Sequence, residues 1–463
     1  MRTAALLVSA AALLASGAAP ATAQVGFAAP VAVTPAGGHV QLPAADVGPT
    51  GRAATVWMDA PARGRFTLRA KLGPSPAALG PTAIVERRRH AWEPLVAVGA
   101  DGAAVACWPI DPIGPGGRRR AGVRCATAAP EGGFGPPRWV RRLPARARPS
   151  VKGLTFDGAG RAVVAWTEKP VGNRRRLMWA ATGPDGAFGP GQALLETDTE
   201  GLLSLGAGPD GAVVAGYSTR RRGLGTVQRR PFARVLAPGA AAFGPPIDLS
   251  PEGTVYSVEI AGGRGLAALF DIEYEGPHVA LRGADGSFRA PVRLGPPELS
   301  DEATLEFLPD GSAVVGMLDL ESANTDCGDY TRGLLTIAPM TADGEVGPAQ
   351  PMSAPRQIVL GAALEALDDG TVVAVWGNER GARSRLEYAV RAPGASSFAE
   401  GAPLPLLSAD EVVLAGGGQD ALLVWIAGRQ PDGPARLIVS ALRRSPPFAP
   451  VAGRPSRPQT NCT

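Results

Sequence analysis

The chain has 463 residues, a net charge of +4 and 45% hydrophobic residues, enough for a folded core and for two or three domains or one large ring. Its 61 Gly and 46 Pro are so dense that, beyond residue 30, the longest stretch free of both is Thr82–Glu93. Both residues interrupt helices, so long helices, coiled coils and helical repeats are all but excluded. Three His and four Cys leave little for a zinc enzyme.

Residues 1–23 read as a secretory signal. Arg2 is the only charge, Ala4–Leu14 is apolar, and Ala21-Thr22-Ala23 is a small-x-small cleavage site before Gln24. Gly17 and Pro20 interrupt the apolar stretch before it reaches the roughly 18 residues that a membrane span needs. No later segment is apolar enough to span. The expectation is a secreted, extracellular chain in a compartment that keeps disulfides. A β-propeller would occupy 24–450, with a C-terminal tail over 451–463.

From residue 51 a phrase recurs: a Gly turn, a short apolar run, then a large side chain. Its copies end at Trp57, Trp108, Trp166, Tyr217, Phe270, Met317, Trp376 and Trp425, at spacings of 51, 58, 51, 53, 47, 59 and 49. A second phrase interleaves with it, an aromatic or aliphatic residue followed by a Gly/Ala/Pro cluster. It starts at Phe27, Leu79, Phe134, Phe188, Phe243, Phe288, Val346, Phe398 and Phe448. A period near 50 with β-type punctuation points to propeller blades.

The third repeat reads as four strands. Val151–Phe156 is turned by Asp157-Gly158-Ala159-Gly160 into Ala162–Trp166. A hairpin loop around Val171-Gly172-Asn173 leads to Arg176–Ala181, and Pro184-Asp185-Gly186 turns the chain into Gln192–Leu195. Asp-Gly between apolar runs is a strong hairpin cue. The second strand is apolar throughout, so both of its faces are expected to be buried. The predicted fold is all-β: a single eight-bladed β-propeller of four-stranded antiparallel blades. Seven blades plus an irregular segment is the alternative, because the fifth copy is weak. Pro30–Val33 and the segment after Phe448 compete to supply the outer strand of the closing blade.

This cadence resembles secreted bacterial β-propellers of the sialidase-like class, which carry bacterial neuraminidase repeats. Their Ser-x-Asp-x-Gly-x-x-Trp box is matched in part by Asp185-Gly186, Asp285-Gly286 and Asp343-Gly344, without its Ser and Trp. The resemblance implies the fold. A sialidase-like hydrolase would further need an arginine triad, an acid Asp and a Tyr–Glu pair from separate strands. Here Glu273-Tyr274-Glu275 lies together in one loop.

No catalytic residue can be assigned from sequence. His39, His90 and His278 are scattered, and no Gly-x-Ser-x-Gly, Walker loop or His-Glu-x-x-His occurs. Two acids converging in the central cavity would favour a glycan-active hydrolase. Asp319, Glu321, Asp326 and Asp329 crowd the loop expected over Asp319–Tyr330, where hard oxygen ligands could hold Ca²⁺. Their spacing fits no calcium loop, so no cofactor is expected. Asn461-Cys462-Thr463 matches a glycosylation sequon, read as a chance match.

Arginine is more orderly. Of 46 basic residues only Lys71, Lys152 and Lys169 are lysine. Triplets at Arg118, Arg119, Arg120, at Arg174, Arg175, Arg176, and at Arg220, Arg221, Arg222 each follow a second strand. Solvated loops are one reading. An anion-binding rim is the sharper one, since guanidinium forks match sulfate and carboxylate. Residues 51–250 carry +15 and residues 251–400 carry −13. The loop face opposite the Asp-Gly turns should therefore have a basic and an acidic side, and that field would steer an anionic partner. The expected role is a binding or scaffolding module, monomeric, for an anionic polysaccharide or cell-surface component, with no nucleic acid partner. Cys107 and Cys125 are equidistant from Gly116, so they should face each other across a hairpin and bridge. Cys327 and Cys462 would then remain for each other.

Overall fold

The computed structural model describes residues 25–34, 40–59, 66–87, 93–110, 121–144, 147–169, 175–197, 203–223, 226–249, 254–273, 275–295, 302–325, 328–354, 358–380, 383–407, 410–428 and 435–443. Eight antiparallel sheets follow one another along the chain. Seven hold four consecutive strands each, and the eighth takes its outer strands from the N-terminal segment. The innermost strand of each blade packs on that of the next, and the first packs on the eighth, so the ring closes. Among the described residues the only helical element is a single 3-10 turn, Pro76–Ala78.

Hydrophobic burial explains the ring. The second strands, such as Ala162–Glu168 and Ala104–Ile110, are buried at every position. Trp57, Trp108, Trp166, Tyr217, Phe270, Trp376 and Trp425 lie in the sealed interior. Each second strand is sandwiched between neighbouring blades, which is why it is uniformly apolar rather than alternating. The small residues of the second phrase also have a cause. A Cβ at Gly191 would lie 2.8 Å from the Trp166 ring, and one at Gly401 would lie 2.9 Å from Trp376. The outer strand begins where it crosses these indoles, and only Gly leaves room.

The third repeat folds as Ser150–Phe156, Ala162–Glu168, Arg175–Ala181 and Gln192–Thr197. Gly160 and Gly186 take the positive φ of their turns, 76° and 71°. The fifth repeat is a regular blade of Val255–Ala261, Ala267–Ile272, Gly276–Leu281 and Val292–Arg293, which overturns the seven-blade alternative. Its copy looked weak because Phe270 falls one position early along an otherwise normal strand.

The N-terminus closes the ring. Gly26–Phe27 pairs with Leu442 and Arg443, and Val31–Ala32 pairs with Ile438 and Val439 of the same strand, Arg436–Arg443. Pro30, which has no N–H to give, falls in the gap between the two short ladders. Phe27 meets the Tyr388 ring of blade 7 edge-on at 5.2 Å. Residues 1–23 and 451–463 lie outside the described residues.

Cys107 and Cys125 are register partners across the hairpin of blade 2, and they form a disulfide with Cα atoms 4.1 Å apart. Cys327 and Cys462 fall outside the described residues.

The segment bearing Arg220–Arg222 and the described residues of Asp319–Tyr330, expected to be loops, are strands instead. The second and third strands of blade 4, Val213–Gly223 and Thr226–Leu236, pair along their whole length. Those of blade 6, Ala313–Thr325 and Gly328–Met340, do the same. Continuous ladders satisfy the backbone of both ribbons, so polar sequence alone did not mark a loop.

Candidate functional site

Strand direction alternates within a blade, so the connections divide between two ends of the ring. Tight turns joining first to second and third to fourth strands share one end. The hairpins joining second to third strands emerge at the other. Arg175 and Arg176 open the third strand of blade 3, at the far end from the Asp157–Gly160 turn. Arg220, Arg221 and Arg222 sit at the outer end of the blade 4 ribbon, away from the turn at Gly211. Arg118–Arg120 and Arg174 fall outside the described residues. Arg176 meets Glu196 at 3.0 Å in an exposed pair, an interaction worth little by itself. In blade 4 the register places Arg220 opposite Arg229 and Thr219 opposite Arg230. In blade 6 it places Glu321 opposite Arg332 and Asn324 opposite Asp329.

At the tight-turn end, arginine serves structure. Arg52 follows the first turn of blade 1 and donates to the carbonyls of Gly102, Ala129 and Gly132 in blade 2, at 2.5–2.6 Å. Arg161 holds Asp157 and reaches the Ala240 carbonyl of blade 4 at 3.0 Å. Arg264 of blade 5 donates to the Phe307 carbonyl of blade 6, and to the Ala366 carbonyl and Asp368 carboxylate of blade 7. Arg282 pairs with Asp210 at 2.8 Å.

The central channel holds a carboxylate group that sequence reading did not single out. Asp46, Glu259, Glu306 and Glu365 lie on the innermost strands of blades 1, 5, 6 and 7. Asp46, Glu306 and Glu365 keep partial contact with the channel, but the surrounding walls strip most of their water. That confinement raises the Glu365 carboxyl to about 8, with the charge of Asp46 adding to it. It raises Asp46 to about 6 against the N–H groups of Val98 and Val47 that pull it down. Glu306 is pushed well above the usual carboxylate range by burial, then by Glu365 and Glu259, while Arg264 opposes the shift.

Several of these side chains share one structural task. The channel edge of an innermost strand has no neighbouring strand, so its N–H groups need other acceptors. Asp46 accepts from Val98 at 2.6 Å, Ser204 from Ile260 at 3.1 Å, and Glu411 from Leu42 at 2.6 Å. Glu365 accepts from Gly416. In each case a side chain of one blade caps the backbone of the next. Leu42 and Glu411 both have positive φ, 52° and 51°, a strained conformation for non-glycine residues. The hydrogen bond between them holds it. A period-50 repeat search is blind to this group, because the acids occupy different blades and the channel brings them together only on closure.

Other sequence candidates do not converge. His278 stacks on Phe270 and its Nδ1 meets the Gly276 carbonyl at 2.9 Å. His39, His90 and Tyr274 lie outside the described residues, as does the sequon Asn461–Thr463. Glu273 and Glu275 flank the second-to-third turn of blade 5, away from the channel acids. Asp326 also lies outside the described residues. Among the described residues no three His, Cys, Asp or Glu side chains gather as metal ligands, and no helix is long and apolar enough to cross a membrane.

No protein-family model matches the chain, and no curated protein matches its sequence. Solved structures do match it. The Dos1 propeller aligns with a TM-score of 0.51 at 10% identity, covering 92% of this chain and 96% of that one. An ulvan lyase of the PL25 polysaccharide lyases aligns at 0.43 and 10% identity, covering 90% and 94%. A GH93 α-L-arabinofuranosidase of Fusarium graminearum aligns at 0.39 and 9% identity, covering 90% and 97%. The chain is a β-propeller. At such identities the likeness concerns fold alone.

Proposed function

We propose that this chain is an exported β-propeller that binds an anionic polymer or cell-surface glycan at its long-hairpin end, as a binding or scaffolding module. The observation that carries this reading is the basic ribbon of blade 4. Its register sets Arg220 directly opposite Arg229, with Arg221 and Arg222 beside them, while Arg230, next along, pairs with Asp248 at 2.8 Å. Like charges facing each other across strands destabilise a ladder by about 0.2–1 kcal/mol. A polyanion relieves that repulsion, because its sulfates or carboxylates offset the facing positive charges. Replacing Arg220, Arg221 and Arg222 by Ser tests the reading by retention on heparin at low and moderate salt. Earlier elution is expected, with the difference shrinking as salt rises. Unchanged retention at both salts would reject it.

The channel carboxyls support a second reading, a glycan-active hydrolase. A carboxyl kept protonated near neutral pH, as Glu365 is, has the form of a general acid. A polysaccharide-hydrolysis screen of the intact chain, repeated with Glu306→Gln and Glu365→Gln, tests it. Turnover abolished by either substitution would favour the enzyme.

A further inference from the structure

The outer strand of blade 2 carries a second arginine group that no triplet announces. Its sequence is Arg138-Trp139-Val140-Arg141-Arg142-Leu143. A regular strand sends residues three apart to opposite faces. Here the ladder shifts register between Trp139 and Arg141, so Val140 is an extra residue. Such a bulge re-aims the side chains that follow it. Trp139 packs toward the core between blades 1 and 2, whereas Val140 packs toward that between blades 2 and 3. Arg141 turns the same way as Val140, to Glu168 of blade 3 at 3.5 Å. Arg142 returns to the Trp139 side, its guanidinium 5.7 Å from the ring centre. Gly122 permits the arrangement, since a Cβ there would lie 2.0 Å from the Arg141 carbonyl and 2.9 Å from the indole.

The result is an open recess of about 650 Å³ lined by Arg124, Pro137, Arg138, Trp139, Val140 and Arg142. Arg124 is the fixed wall. It is buried, pairs with Glu86 of blade 1, donates to the Pro137 carbonyl at 2.6 Å and lies 5.2 Å from the Trp139 ring centre. Arg138 and Arg142 are exposed, and among the described residues neither forms an ion pair. The recess thus joins two forks for an anion to one half-buried indole, at a size suited to a small ligand.

We propose that this recess binds a single acidic sugar unit, carboxylated or sulfated, of a glycan chain. Arg138 and Arg142 hold its anionic group while its apolar ring face lies on Trp139. The proposal deepens the function proposed above and rests on its choice of an anionic glycan. Arg142 pairs in register with Gly122, near the end of blade 2 from which its second-to-third connection leaves, so one chain can run from the recess toward the long-hairpin end.

Calorimetry on the intact protein tests this with three probes: a heparin-derived tetrasaccharide, an oligogalacturonate tetramer and tripolyphosphate. At least one sugar should bind, at least tenfold more weakly in Arg138→Ser/Arg142→Ser and about tenfold more weakly in Trp139→Ala. Tripolyphosphate should weaken only in the arginine variant. Melting temperatures within a degree or two of the parent establish that both variants fold. A Trp139→Phe variant should keep most of the sugar affinity. Equal sugar affinity in Trp139→Ala and parent overturns the proposal, as does the absence of sugar binding. If the parent is still retained on heparin through Arg220–Arg222, the recess proposal alone fails. If that retention is also absent, the polyanion reading falls with it.

Discussion

The two ends of this ring use arginine in opposite ways. At the tight-turn end, Arg52, Arg161 and Arg264 each reach into a neighbouring blade and end on backbone carbonyls or a carboxylate. At the long-hairpin end, Arg220 faces Arg229 across a ladder, and Arg142 stands on an indole without a carboxylate partner among the described residues. Arginine content is therefore two signals. A guanidinium with several carbonyl acceptors is a staple between blades. One set beside another cation has no such structural role among the described residues of the ring, and the function proposed above gives it a ligand.

The largest expected effect tests whether the hairpin end needs its own reinforcement. The disulfide closes an 18-residue separation across the second and third strands of blade 2. Replacing Cys107 and Cys125 by Ala should cost about 3 kcal/mol, read by denaturant unfolding. A loss under about 1 kcal/mol would mean that the ladder alone holds that end.

Arg52→Met should cost about 2 kcal/mol, because it strips a buried cation from three carbonyls that then lack a partner. Arg142→Ser at the other end should change stability by less than about 0.5 kcal/mol. Equal losses in the two variants would erase the distinction between the ends.

The channel adds a pH dependence. Glu365 has its carboxyl raised to about 8 and Asp46 to about 6, both above their unfolded values. Folding therefore favours their protonated forms. That stability is fully present below about pH 4 and is lost as pH rises through 6 and then 8. Glu365→Gln should match the parent at pH 4.5 and exceed it by about 1 kcal/mol at pH 9, a figure discounted for screening by channel water. Parallel melting curves against pH for the two proteins would contradict the shift.

The smallest stability effect is the most telling functionally. Arg220, Arg221 and Arg222 replaced together by Ser should leave the melting temperature unchanged or slightly higher, since like charge is removed. The same variant should elute earlier from heparin. A clear fall in melting temperature would make the ribbon structural, like Arg52.

Blade count, strand order and the disulfide were legible in the sequence because each depends on neighbours in the chain. The run Ala162-Val163-Val164-Ala165-Trp166 has no polar position to offer solvent, so it can only be an inner strand. Cys107 and Cys125 oppose each other because a hairpin equates distances from its turn. The ribbon of blade 6 was misread as a loop because charge resembles exposure, and exposed strands pair as well as buried ones. The recess escaped notice because period-2 alternation sends Trp139 and Arg142 to opposite faces. One bulge at Val140 reverses that.

Local pattern therefore determined the repeat, the eight blades and the buried second strands. Hydrophobic period and turn chemistry act over a few residues and are written in order along the chain. Tertiary structure decided which terminus completes the last blade, since residues 26–32 and 436–443 meet only on closure. It also decided that acids from blades 1, 6 and 7 share a channel whose walls strip most of their water. Their charges interact through space at the ring axis, and no spacing along the chain encodes a distance across it.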